Sequence, residues 1–140
     1  MQGRDKDEVV REYGKEQVQL WRRSYTVAPP PRPPGAGGAL RVRAHYAPLA
    51  AADEPRAESL RDVTARLLPY WYGSIVPDLR TGECVLVVSH GNTLRALIKH
   101  LDGIGDDEIT GLEIPNGIPL FYQLDPCLRP LTKGGCRLAG

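Results

Sequence analysis

Between residues 4 and 25, apolar Val9, Val10, Tyr13, Val18, Leu20 and Trp21 recur among charged neighbours at helical spacing, and Gly14 divides the stretch into two short segments. The pattern lapses over residues 26–56, where Pro29-Pro30-Pro31 and Pro33-Pro34 precede Gly35 and Gly37-Gly38; this predicts loop or polyproline. Periodicity returns after Glu58 with Leu60, Val63, Leu67 and Leu68 at spacings of three and four, until Pro69 breaks the helix or begins a second segment carrying Trp71, Ile75 and Leu79. Cys84-Val85-Leu86-Val87-Val88 is continuously apolar, the mark of a strand buried on both faces of a parallel sheet. A helix follows on the stripe Leu94, Leu97, Ile98 and Leu101, ending at Asp102-Gly103. Asp106, Asp107 and Glu108 read as the acidic first turn of another short helix, and residues 118–124 as a second strand.

Helix, strand, loop, helix is an α/β order, but so few strands make a poor sheet for a doubly covered core, which implies that flanking strands are missing. Residues 1–25 are too few for an independent domain, so the Pro/Gly-rich loop at 26–56 is an excursion within one domain spanning 1–140.

Composition narrows the function. At 140 residues, 41% hydrophobic and 25% charged, the chain has the means to bury a core. A net charge of +1 provides no basic field for nucleic acid or anionic lipid, so no nucleic-acid partner is expected. No apolar run approaches the roughly 20 residues that cross a bilayer, so no membrane partner is expected either. The charged N-terminus resembles no secretory signal, and Cys84, Cys127 and Cys136 lack paired-ligand spacing; both point to a reducing, cytoplasmic location with ordinary thiols and no metal.

His90-Gly91-Asn92 lies where the apolar run meets a helix, and open α/β sheets bind ligands outside the carboxyl ends of their strands. Unpaired N–H groups at the helix start, Gly91 for close approach and the Asn92 side chain as donor suit a phosphate. The alternative is a structural His90 with Asn92 capping the helix. Arg22-Arg23 suits carboxylate or phosphate through guanidinium forks, or else is a solvated face at a helix end. Lys6, among Asp5, Asp7 and Glu8, reads as surface, as do His45 and His100 as ordinary histidines.

Ser89-His90-Gly91-Asn92-Thr93-Leu94-Arg95-Ala96-Leu97-Ile98-Lys99-His100-Leu101 resembles the second histidine motif of the bisphosphoglycerate-dependent phosphoglycerate mutases, within the histidine phosphatase superfamily. Gln2-Gly3 with Lys6, Tyr13-Gly14, Glu16-Gln17, Trp21-Arg22-Arg23, Pro29-Pro30-Pro31, Glu58-Ser59-Leu60, Pro69-Tyr70-Trp71 and Ile114-Pro115-Asn116-Gly117-Ile118-Pro119-Leu120 agree in the same order. The resemblance implies a mainly parallel sheet flanked by helices, with the first strand missing. It implies His90 as the pocket histidine that stabilises the phosphoryl group in transit, and Gly91, Asn92, Lys6, Arg22 and Arg23 as the substrate's anion-binding residues. The implied reaction interconverts 2- and 3-phosphoglycerate through a phosphohistidine, primed by 2,3-bisphosphoglycerate without a metal, in a protein that is usually a homodimer.

The family's Arg-His-Gly motif, which carries the phosphorylated histidine, occurs nowhere in the chain, nor does its Glu-Arg-His-Tyr segment. The sequence thus resembles the C-terminal portion of a mutase, from which no turnover by itself is expected. A non-catalytic phosphoglycerate-binding product and a broad-specificity phosphatase are the alternatives. Asn116 stands where the family usually has Thr, and residues 36–42 do not match its acidic loop.

Overall fold

The computed structural model describes residues 5–32 and 56–138. Most of the Pro/Gly-rich stretch, with His45, lies outside the described residues. On either side of it, the Arg32 N–H donates to the Arg56 carbonyl at 3.0 Å, while the Arg56 guanidinium returns two bonds to the Arg32 carbonyl at 3.0 and 2.7 Å.

Helix α1 (Lys6–Tyr13) starts at Asp5, whose carboxylate accepts from the Asp7 and Glu8 N–H groups at 2.9 and 3.2 Å. The acidic run around Lys6 is therefore a cap and first turn, which complements the helix dipole. Gly14 separates α1 from α2 (Lys15–Arg23), as the sequence predicts. Val9 and Val18 are buried, and the Tyr13 and Trp21 rings meet edge-to-face at 5.0 Å.

Helix α3 (Leu60–Tyr70) opens with a reciprocal cap: Ser59 Oγ accepts from the Asp62 N–H, and the Asp62 carboxylate accepts from the Ser59 N–H at 2.9 Å. Pro69 does not break it. The chain continues through a π-helical turn (Trp71–Ile75) into α4 (Val76–Arg80), with the Trp71 N–H donating to Leu67 and Leu68 and the Val76 N–H to Trp71. The wide turn after the proline turns Trp71, Ile75 and Val76 together into the core.

Helix α5 (Gly91–Asp102) packs along α3 and ends where the sequence places it, with Gly103 left-handed at φ 66°. Two apolar clusters meet across this pair. Leu60, Val63, Ala96 and Ile109 form one; Trp71, Ile75, Val76 and Leu97 form the other, with Leu67 touching both. The acidic segment after α5 becomes a 3₁₀ turn (Glu108–Gly111) rather than a helix headed by all three acids, because Asp106 pairs with Lys99 at 2.8 Å and Glu108 accepts from the Gly105 N–H at 2.8 Å.

The β structure departs from the expectation of a parallel sheet. Among the described residues the sheet has two strands, β1 (Leu120–Phe121) and β2 (Cys136–Arg137), paired antiparallel, with an isolated bridge between Leu124 and Pro130. Residues 84–88 belong to no strand: Val85 and Val87 pack on the Trp71 cluster, while Leu86 and Val88 are 83% and 84% exposed. The expectation of burial on both faces is therefore corrected to burial on one. The remaining β-prone segments pair with each other, so among the described residues this run has neither a strand at its edge nor a layer over its second face.

Buried Asp102 ties the β1–β2 region to α5. One of its carboxylate oxygens accepts from Tyr122 Oη and from the Gly134 N–H, both at 3.0 Å. Burial, and then Asp102 itself, push the Tyr122 phenol well above its ordinary range.

This geometry sets the cost of three substitutions. A Cβ at Gly135, where φ is +60°, would sit 2.8 Å from the Phe121 carbonyl oxygen and from the Tyr122 ring, so Gly135→Ala should cost about 1–3 kcal/mol in urea unfolding. Gly73→Ala, which meets nothing within 4 Å, should be neutral or stabilising by about 0.4–1 kcal/mol. Ser59→Ala should cost about 1 kcal/mol at pH 7. Ser59's hydroxyl, then its N–H, hold the Asp62 carboxyl below its usual value. That contribution is complete above the unfolded value of about 3.9 and is lost as pH falls through the lower folded value, so the Ser59→Ala penalty should shrink between pH 7 and pH 2.5.

Candidate functional site

His90 caps α5. Its backbone is extended, and its Nδ1 accepts the Asn92 N–H at 3.3 Å. The alternative reading, in which Asn92 caps the helix, does not hold: the imidazole one residue before the helix reaches the free N–H, and Asn92 lies inside the first turn. With Nδ1 accepting, the neutral ring carries its proton on Nε2, which leaves an N–H donor on the side away from the helix. His90, Gly91 and Asn92 are all exposed, and a Cβ at Gly91 would meet nothing within 4 Å, so the face around the helix start is open to an incoming group.

Arg22 and Arg23 end α2, and the residue that joins them to His90's helix is Arg95. Its guanidinium, 6% exposed, donates through Nη1 to the Arg22 carbonyl at 3.1 Å and through Nη2 to the Arg23 and Ile109 carbonyls at 3.1 and 2.7 Å. The last carbonyls of a helix lack intrahelical partners and carry the negative end of its dipole, so a buried cation is well placed there. Hydrogen bonds to a charged group contribute about 1.5–3 kcal/mol each. Burial, then the neighbouring Arg23 charge, push the Arg95 guanidinium below its ordinary range, and it stays cationic. It lies five positions after His90, about 7–8 Å along the axis of α5.

The two adjacent arginines differ. Arg22 is exposed, whereas Arg23 is partly buried and donates to the Leu112 carbonyl at 3.2 Å and to Glu113 at 2.8 Å. An anion engaging Arg23 therefore competes with a carboxylate that is 77% exposed and free to swing aside. Lys6 is exposed at the start of α1, and no hydrogen bond or ion pair among the described residues joins it to His90, Arg22 or Arg23. The structure thus ties the main chain of Arg22 and Arg23 to the helix of His90 through Arg95, and gives Lys6 no such link among the described residues.

Arg95 is the site residue the chemical reading of the sequence does not single out. Its one signal is its place beside the apolar stripe of α5, next to Ala96 and Leu97. His100 is held by Tyr72 Oη at 2.9 Å, and burial lowers its pKa. Lys99 donates to the Ile104 carbonyl and lies 4.4 Å from the centre of the Tyr25 ring. Cys84, Cys127 and Cys136 are exposed free thiols. Among the described residues no group of three or more His, Cys, Asp or Glu side chains is placed to hold a metal ion, and no helix is long and apolar enough to cross a membrane.

The arrangement offers an imidazole N–H, a helix N-terminus and guanidinium groups, a donor set suited to phosphate esters. Comparison with known proteins points the same way. The chain is 52% identical over 138 residues to the 2,3-bisphosphoglycerate-dependent phosphoglycerate mutase of Streptomyces avermitilis, covering 99% of this chain and 54% of the relative. It is 51% identical over 138 residues to the proteins of the same name in Streptomyces griseus and Mycobacterium tuberculosis, covering 99% of this chain and 54% and 55% of those relatives. The chain therefore spans about half the length of the curated relatives it matches. Residues 1–118 match the histidine phosphatase superfamily (branch 1), and the chain belongs to that family.

Proposed function

We propose that this chain is the C-terminal portion of a phosphoglycerate mutase that interconverts 2- and 3-phosphoglycerate. The observation that carries the reading is the identity of 52% over nearly the whole chain to a relative of that name. The donor set supports it. His90, through Nε2–H, stabilises the phosphoryl group in transit, because negative charge spreads over its oxygens and a fixed donor meets that charge without reorganising. Gly91 and Asn92 receive the phosphate at the start of α5, and Arg22 and Arg23 hold the substrate's anionic groups. Lys6 belongs to the same reading on the resemblance alone. The exposed imidazole at the open Gly91 face and the exposed Arg22 guanidinium suit 2,3-bisphosphoglycerate, a small polyanion. When bound, it supplies the phosphoryl group that primes the nucleophile.

The nucleophilic histidine of the Arg-His-Gly motif is not in this sequence. We assign it to the part of the relatives' domain that the chain does not cover, so that this polypeptide binds phosphoglycerates but does not turn them over. A cytoplasmic location and a homodimeric parent enzyme belong to the same reading.

Alone, with 2,3-bisphosphoglycerate and 3-phosphoglycerate, the chain should form no 2-phosphoglycerate in a coupled enolase assay; dose-dependent turnover would mean that the nucleophile lies within these residues. Joined behind the uncovered N-terminal portion of the Streptomyces avermitilis relative, it should turn over. In that chimaera His90→Ala should lower kcat at least about a hundredfold, as loss of a transition-state donor does. Arg22→Ala should instead raise KM about tenfold or more, the effect of losing a charged hydrogen bond to the substrate. Unchanged kinetics in both variants would remove the site assignment, and hydrolysis of generic phosphoesters faster than isomerisation would reassign the protein as a phosphatase.

A further inference from the structure

Arg95 is a buried guanidinium whose acceptors are the main-chain oxygens of Arg22 and Arg23, with the Ile109 carbonyl of the 3₁₀ turn as the third. Its fork spans two successive carbonyls at the end of one helix while its own backbone sits in the helix that His90 caps. Covering the core alone would not require this choice: Ala96, Leu97 and Ile98 beside it are apolar, and an apolar side chain would complete that surface without a buried charge. Because Arg95 satisfies the end of α2, the arginine side chains there are not drawn back to cap their own helix, as basic residues in a last turn commonly are.

We propose that Arg95 is a positioning residue for the anion site: by clamping the carbonyls of Arg22 and Arg23 to α5, it sets the two arginine side chains in a fixed relation to the helix start headed by His90. This rests on the reading of Arg22 and Arg23 as anion-binding residues. Arginine is required rather than lysine because two adjacent carbonyls and a third on another element match a planar fork and not a single ammonium group. The position also couples the candidate site to the core, since Ile109, whose carbonyl takes the shortest of the three bonds, is fully buried.

The test is a double-mutant cycle on the chain, with 3-phosphoglycerate titrated by calorimetry. Arg95→Met should weaken binding about tenfold in the wild-type background, yet change it less than about twofold when Arg22→Ala and Arg23→Ala are already present. Arg95→Lys should restore about a third of the lost affinity in logarithmic terms, and Arg66→Met, on an exposed guanidinium paired with Glu58, should change nothing. Equal losses in both backgrounds, or no loss, would overturn the proposal, since a merely structural role moves melting temperature but not this coupling. A second measurement does not depend on ligand: the Arg23 Nε–Hε NMR signal should be sharp and distinct in the wild type and average toward those of solvated arginines in Arg95→Lys, while the Arg66 signal stays put. If the wild-type chain binds no phosphoglycerate, the anion-binding reading fails and this spectrum alone decides the positioning role. An Arg23 signal unchanged in Arg95→Lys would refute it.

Discussion

The contact of α5 with α3 is the interaction on which the described structure depends. Ala96 is fully buried there, and its small side chain lets Leu60 and Val63 approach the helix closely, as ridges packing into grooves require. Three separate parts of the described structure meet on α5. Its first turn is headed by His90, its middle sends Arg95 to the end of α2, and its last residue, Asp102, receives Tyr122 and the Gly134 N–H from the β1–β2 region. The helix acts as a spine whose apolar side fixes its rotation and whose polar residues then reach fixed partners. A change of rotation sufficient to move His90 would also break the Ala96 and Leu97 contacts.

The extended run ahead of α5 is organised on one side only. Val85 and Val87 complete the Trp71 cluster, so the run is held against the helices by apolar contact, while its other face presents Leu86 and Val88. The run leads into Ser89 and His90 and so sets the direction from which the imidazole enters the helix cap. Alternation of side chains across an extended chain explains how one segment can be core and surface at once.

Helices were legible in the sequence because their determinants are local. Gly14 and Gly103 mark ends in single residues, and the stripe Leu60, Val63, Leu67 faces the core as its spacing dictates. What the sequence did not reveal depends on partners distant along the chain. Continuous hydrophobicity at residues 84–88 describes what such a run tolerates, not which neighbours it finds. Pro69 reads as a breaker until the π turn behind it is known to absorb the change in bonding, and Asp106 reads as a helix start until Lys99 claims it. At the site, His90 was marked by its place between an apolar run and a helix. Arg95 was not, since a basic residue beside an apolar stripe is ordinary at the edge of an amphipathic helix and only the end of α2, more than seventy residues earlier, makes its burial sensible.

Two guanidinium groups held close together, with a third on the next residue of α2, pose an electrostatic question of their own. Arg95 is surrounded by carbonyl oxygens, and Arg23 leans on Leu112 and Glu113, so each of these charges has oxygen partners; Arg22 faces solvent. Arg23 and Arg95 nevertheless repel one another, and that repulsion adds to the larger effect of burial in lowering the pKa of Arg95. Like charges held close by the fold make an added anion more welcome than it would be beside one arginine, because its binding relieves repulsion as well as forming bonds. Glu113 supplies part of that relief already, from an exposed position where water screens it. On the proposed reading of Arg22 and Arg23 as anion-binding residues, a doubly charged phosphate would relieve the same repulsion with more charge and more acceptor oxygens, and it would leave the Glu113 carboxylate free to return to water at little cost.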